Sequence, residues 1–365
     1  MHDPFIGRPI DSKALSRRDF IRYTAIAGAA ITMGSGTRAA AHHHGLDDFP
    51  APTFVQSNGI RMAYYEQGEG FPVVFSHGFP ELAYSWRHQL PALAKAGFRA
   101  IAPDQRGYGE TERPEAIRDY DIHHLTGDMV GLLDALDIEK AVFCGHDWGG
   151  FVVWQMALLH PERVAGVIGV NTPYFPRGPV PTVQMIRAMR GEKNYIVMFQ
   201  EPGVADALLA EDVRKTFTLF MRKNGVTAEE FAKLPPDAPE RNFELTEMLK
   251  RTDFPGEPLL TPDEFKYYVN TFERTGFTGG INWYRNMDYN WETTEDSPTN
   301  INVPCLYVGA EDDVVLPPSM SAGMGNFIPD LEKHVIQDCG HWTQQEKPEE
   351  LNRVIIEWLS RKFSD

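Results

Sequence analysis

The chain has 365 residues, 42% hydrophobic and 24% charged, a composition that excludes disordered, collagenous and disulfide-scaffold proteins and is ample for one large domain with an insertion. Its formal net charge of −16 repels phosphate backbones and anionic lipid, which argues against nucleic-acid and membrane-surface partners. Three cysteines (Cys144, Cys305, Cys339) with no Cys-x-x-Cys make neither a disulfide framework nor a structural zinc site.

Residues 16–22 read SRRDFIR, the stretch Tyr23 to Gly36 is uncharged and weakly apolar, and Ala39-Ala40-Ala41 follow. The twin Arg17-Arg18 and the Ala-x-Ala end resemble a bacterial twin-arginine export signal. Residues 1–41 are thus expected to be a leader, with the mature protein periplasmic or secreted. The apolar run is too short to span a bilayer, so a membrane enters only through export. His42-His43-His44 read as solvated tail rather than as metal ligands.

From residue 53 the pattern alternates. Arg61–Gln67 and Pro72–Ser76 are β-rich runs between glycine turns, Leu82–Ala96 has helical spacing, and Phe98–Ala102 is a short apolar strand. Asp121–Leu136 reads as an amphipathic helix, followed by a strand at Ala141–Cys144, a helix at Gly149–His160 and a strand at Arg163–Val170. Residues 173–298 lose this rhythm and read as mainly helical. It returns with a strand at Val303–Gly309, a helix at Met320–Phe327, a strand at Lys333–Gln337 and a last helix at Pro348–Lys362. Strands alternating with helices predict an α/β fold with a mostly parallel sheet covered on both faces. The core would span residues 47–172 and 299–365, split by a helical cap at 173–298.

Between an apolar strand and a helix lies Gly145-His146-Asp147-Trp148-Gly149-Gly150, with the glycine spacing of a nucleophile elbow. The elbow places its central residue in a tight turn above the sheet, and here that residue is Asp147. A carboxylate suits displacement at a saturated carbon through an ester intermediate, which disfavours a serine-type esterase. Downstream, Ala310-Glu311-Asp312-Asp313 ends one strand and Cys339-Gly340-His341-Trp342 ends the next. The order nucleophile, acid, histidine is that of α/β-hydrolases, with His341 as the base and Asp312 or Asp313 orienting it. Asp104 and Arg106 read as a loop held by ion pairing and glycine turns.

HGFPE at 77–81, DQRGYGET at 104–111, GHDWGG at 145–150, FQEPG at 199–203, NWYRN at 282–286 and CGHW at 339–342 together resemble the α/β-hydrolase-fold epoxide hydrolases of the soluble type. The resemblance implies an eight-stranded sheet with the cap inserted before the last two strands. It implies Asp147 as nucleophile, His341 as base and Asp313 as acid, with the amides of Phe79 and Trp148 forming the oxyanion hole. Tyr195 and Tyr284 match the two cap tyrosines that grip the epoxide oxygen, and Tyr267 and Tyr268 are rivals by proximity. Phe79, Trp148, Phe199 and Trp283 are expected to line the pocket. The implied substrate is a small apolar epoxide, with water as co-substrate and neither metal nor organic cofactor. A haloalkane dehalogenase would use the same triad, and a non-catalytic exported binding or effector protein would have a broken one. NWYRN and FQEPG favour the epoxide reading.

Overall fold

The computed structural model describes residues 49–363; the export signature and the three adjacent histidines lie outside them. Strands β1 (Thr53–Ser57) and β2 (Ile60–Gln67) form a hairpin whose Asn58-Gly59 corner has both residues at positive φ, 46° and 82°. β3 (Phe71–Ser76), helix α1 (Gln89–Lys95), β4 (Phe98–Pro103), α2 (Ile122–Ala135), β5 (Ala141–His146), α3 (Trp148–Leu159) and β6 (Val164–Val170) follow. The cap comes next. It comprises α4 (Thr182–Arg190), α5 (Tyr195–Met198), α6 (Val204–Glu211), α7 (Val213–Phe220), β7 (Arg222–Lys223), α8 (Ala228–Lys233), α9 (Leu245–Met248), β8 (Glu257–Pro258), α10 (Pro262–Thr275), α11 (Thr278–Arg285) and α12 (Met287–Thr293). β9 (Cys305–Ala310), β10 (Leu331–Ile336), α13 (Thr343–Glu346) and α14 (Pro348–Phe363) complete the chain.

Among the described residues the main sheet has eight strands in the order β1-β2-β4-β3-β5-β6-β9-β10, antiparallel at β1/β2 and β2/β4 and parallel elsewhere. Every residue of β5 and β9 is buried, as expected of strands covered on both faces. Val73, Phe75, Val142 and Cys144 pack toward α1 and α14, while Val74 and Phe143 pack toward α2 and α3. The chain leaves β3 for β4 on one side and returns to β5 on the other, which opens a crevice at the carboxyl ends of β3 and β5.

Two predicted helices take other forms. Leu82–Ala96 divides into a 3₁₀ turn, Ala83–Trp86, and α1, because Pro91 has no N–H for the Arg87 carbonyl and is tolerated only in a first turn. The stretch predicted at Met320–Phe327 is a 3₁₀ run, Pro318–Asn326, in which Gly323 and Gly325 weaken any α-helical preference. The cap also holds one antiparallel rung pair, β7 with β8, where no strand was predicted. All three cysteines are free and buried. Cys305 opens β9 opposite Leu331, whereas Cys339 follows the far end of β10, so the two lie at opposite ends of adjacent strands.

Candidate active site

β5 passes into α3 through Asp147, whose φ of 51° and ψ of −121° are rare for a residue with a Cβ. The flanking glycines make that turn feasible. A Cβ on Gly145 would strike the Gly149 carbonyl, and one on Gly149 would strike the carbonyl of Ser76 at the end of β3.

The two Asp147 oxygens are not equivalent. Oδ1 accepts the Phe79 N–H at 2.9 Å, and the Trp148 amide also bonds the carboxylate. Oδ2 lies 3.7 Å from His341 Nε2. Burial raises the Asp147 pKa above the usual carboxylate value, against the pull of His341, His146 and the two amides.

His341 Nδ1 meets Asp313 Oδ2 at 2.9 Å. Asp313 also accepts from Asn171 Nδ2 at 2.8 Å and from the Val315 and Leu316 amides at 2.9 and 3.0 Å. Burial pushes the Asp313 carboxyl up, yet His341 and these donors hold it down at about 2. Burial likewise opposes the His341 imidazolium, but the charges of Asp313 and Asp147 raise its pKa to about 9. Asp312 is occupied elsewhere, its Oδ1 accepting the Ala228 N–H at the start of α8 at 2.9 Å.

The loop carrying His341 is clamped from three sides. His146 Nε2 donates to the His341 carbonyl at 2.7 Å, while His146 Nδ1 faces Glu81 Oε2 at 3.0 Å in a fully buried pair. Glu346 accepts the amides of Gly340 and Trp342 at 3.0 and 2.9 Å. The Trp342 indole donates to the Phe220 carbonyl in the cap at 2.7 Å.

Above this floor the Tyr195 and Tyr284 side chains pack against each other, with the Trp148 ring beside Tyr284. The Tyr284 ring lies edge-on to those of Phe199, Trp148, Phe79 and Tyr195, with centroids 5.0, 5.0, 5.3 and 5.8 Å away. Burial raises both phenol pKa values and the nearby Asp147 charge raises them further, so each phenol keeps its proton and remains a donor. Tyr267 and Tyr268 pack elsewhere, Tyr267 on Tyr84 and Tyr268 on Tyr84 and Phe217. Trp283 turns toward the core, where its indole donates to the Arg106 carbonyl at 3.2 Å behind Trp148. Arg106 itself pairs with buried Asp128 at 2.6 Å, and Asp104 accepts the amides of Ala83 and Glu110, so the 104–111 loop is held by ion pairing and turns.

Asn171, Glu81, His146 and Glu346 were not singled out from sequence. His146 and Glu81 stand inside quoted motifs, and a polar residue next to an elbow is the one available signal. Asn171, at φ 59°, marks itself only by ending an apolar strand with an Asn-Thr-Pro turn.

A mostly parallel eight-stranded sheet with a carboxylate at the β5–α3 elbow and a histidine–aspartate pair on later strand ends defines the α/β-hydrolase fold. The family described as alpha/beta hydrolase fold matches residues 72–348. Epoxide hydrolase A of Mycobacterium tuberculosis is 45% identical, over 85% of this chain and 98% of its own. Bifunctional epoxide hydrolase 2 of Sus scrofa is 46% identical over 82% of this chain, which spans about half (53%) of that longer relative. Two crystal structures align with TM-scores of 0.76. Epoxide hydrolase A from Mycobacterium thermoresistibile is 44% identical, covering 85% of this chain and 98% of its own. Epoxide hydrolase VrEH1 from Vigna radiata is 35% identical, covering 87% and 100%. The chain belongs to the epoxide hydrolase family of the α/β-hydrolase fold.

Proposed function

We propose that the protein hydrolyses a small apolar epoxide to a vicinal diol in two covalent steps. The observation that carries this is the inequality of the Asp147 oxygens beneath two protonated phenols. Oδ1 is held by the Phe79 amide, and Oδ2, 3.7 Å from His341 Nε2, is the attacking oxygen. As Oδ2 forms its bond to an epoxide carbon, the ring C–O bond breaks and its electron pair goes to oxygen. Tyr195 and Tyr284 stabilise that oxygen and supply its proton.

The product of this step is a neutral ester at Asp147. His341 held its proton partly through the Asp147 charge, and esterification removes that charge. The His341 proton then replaces the one the phenol gave up, leaving a neutral imidazole oriented by Asp313. That imidazole deprotonates water, which adds to the ester carbonyl. The oxyanion forms on Oδ1, already held by the Phe79 amide, with the Trp148 amide at the same carboxyl group as the second donor. Collapse breaks the Cγ–Oδ2 bond; Oδ2 leaves with the diol, taking the proton of the newly added hydroxyl, and the carboxylate is restored beside protonated His341. These residues call for neither metal nor organic cofactor.

Purified protein offered a terminal aryl epoxide and, separately, a bromoalkane of similar size tests the reaction class. Diol without bromide supports the proposal; bromide without diol replaces it with dehalogenation. We also propose export through residues 1–41. Replacing Arg17-Arg18 by two lysines should retain the protein in the cytoplasm; unchanged export would overturn this.

A further inference from the structure

The foot of α11 makes a contact that the chemistry above does not use. A Cβ on Gly279 would strike the carbonyl and Cα of Gly107, and a Cβ on Gly107 would strike Gly279 in return. Two main chains thus touch without a side chain between them, where the cap crosses the 104–111 loop. Beside that contact Trp283 donates to the Arg106 carbonyl at 3.2 Å, and Gly280 leaves room for the buried Tyr108 ring. Further along, Asn286 Nδ2 donates to the Ile117 carbonyl at 2.6 Å and Arg118 donates to Asn286 Oδ1 at 2.7 Å. Tyr284 lies between these attachments, five residues beyond Gly279, or roughly 7.5 Å along the axis. A side-chain contact can yield by changing rotamer; a backbone-on-backbone contact has no such freedom.

We propose that Gly279, seated on Gly107, is a positioning residue for ring opening: the bare backbone contact sets how far the Tyr284 hydroxyl stands from Asp147. The inference rests on the function proposed above. A methyl group at 279 forces α11 away from the loop by on the order of 1 Å, and a misplacement of that size costs about 10²-fold in rate.

The test is a double-mutant cycle on the full chain with an aryl epoxide, resolving ester formation from ester hydrolysis by rapid quench. Gly279→Ala should slow ester formation roughly 10- to 100-fold and leave ester hydrolysis within about a factor of two. In a Tyr284→Phe background the same substitution should have little further effect, because there is no hydroxyl left to misplace. Equal slowing of both steps, additivity with Tyr284→Phe, or an unchanged rate of ester formation would each overturn the inference. Should Gly279→Ala fail to fold, Trp283→Phe removes the indole donor to Arg106 and enters the same cycle. It should cost roughly 5-fold, again only while Tyr284 is present. Wild-type protein that makes no diol would instead overturn the reading of function beneath it.

Discussion

The floor of the site and its roof are held in different ways. On the floor, backbone amides grip Asp147 and Asp313, and the residues stand at the ends of buried strands. In the roof, two phenols stand at the tips of side chains on two helices. Tyr284 belongs to the arm α10–α12, which is tied to the core by Trp283, Asn286, Asn290 and a buried Arg87–Glu264 pair. Tyr195 sits on α5, whose hydrogen bonds run to cap residues: Asn194 to the Asn242 carbonyl, Tyr195 N–H to Phe243 and Gln200 to Tyr284. On the proposed mechanism, charge that must be stabilised at a fixed point is met by main chain, while the part that must accommodate a substrate is met by helices, one anchored and one carried.

That contrast can be broken at several levels. The largest effect is expected on the floor. Asp147→Asn should abolish ester formation, whereas His341→Gln should form the ester and stall, each lowering turnover by roughly 10³-fold or more. Intact-protein mass spectrometry separates the two, since only the second gains the mass of the epoxide. In the roof, Tyr195→Phe and Tyr284→Phe should each slow ester formation roughly 10²-fold and spare ester hydrolysis, as expected for one of two donors to a developing oxyanion. Equal slowing of both steps would place the phenols in general packing.

The two arms should differ in stability more than in chemistry. Arg87→Met leaves Glu264 buried without its 2.6 Å partner and should cost about 3–5 kcal/mol in denaturant unfolding. Glu240→Gln, which breaks the half-exposed pair with Arg251 in the other arm, should cost about 1 kcal/mol or less. The smallest effect concerns pH. His341 titrates near 9 when folded and near 6.5 when free, so its stabilisation is fully present below pH 6.5 and is lost as pH rises through about 9. His341→Gln should therefore flatten the fall in Tm between about pH 7 and 10.

The sequence made the floor easier to read than its supports. The elbow is six contiguous residues, and the Asp313 and His341 turns are short and end apolar strands, so their order alone suggests the constellation. The supports are long-range: Asn171 reaches Asp313 across 142 residues, and His146 reaches the His341 carbonyl across 195. No local pattern encodes such a pairing. Trp283 illustrates the same limit, because a helix at 278–285 gives Trp283 and Tyr284 directions about 100° apart, and sequence does not say which one faces the cavity. Spacing could not separate Asp312 from Asp313 either. Their difference arises from a cap amide that claims Asp312.

The pinned Oδ1 has an isotopic consequence. If the carboxylate cannot rotate, water always delivers its oxygen into the place that Oδ2 has just vacated, and that oxygen leaves with the next diol. A single turnover in ¹⁸O-water would then release unlabelled diol, and label would emerge one cycle late. Oδ1 itself would keep its original atom through many turnovers. On the proposed mechanism, the hydrogen bond from Phe79 would give the two chemically identical oxygens of Asp147 separate histories.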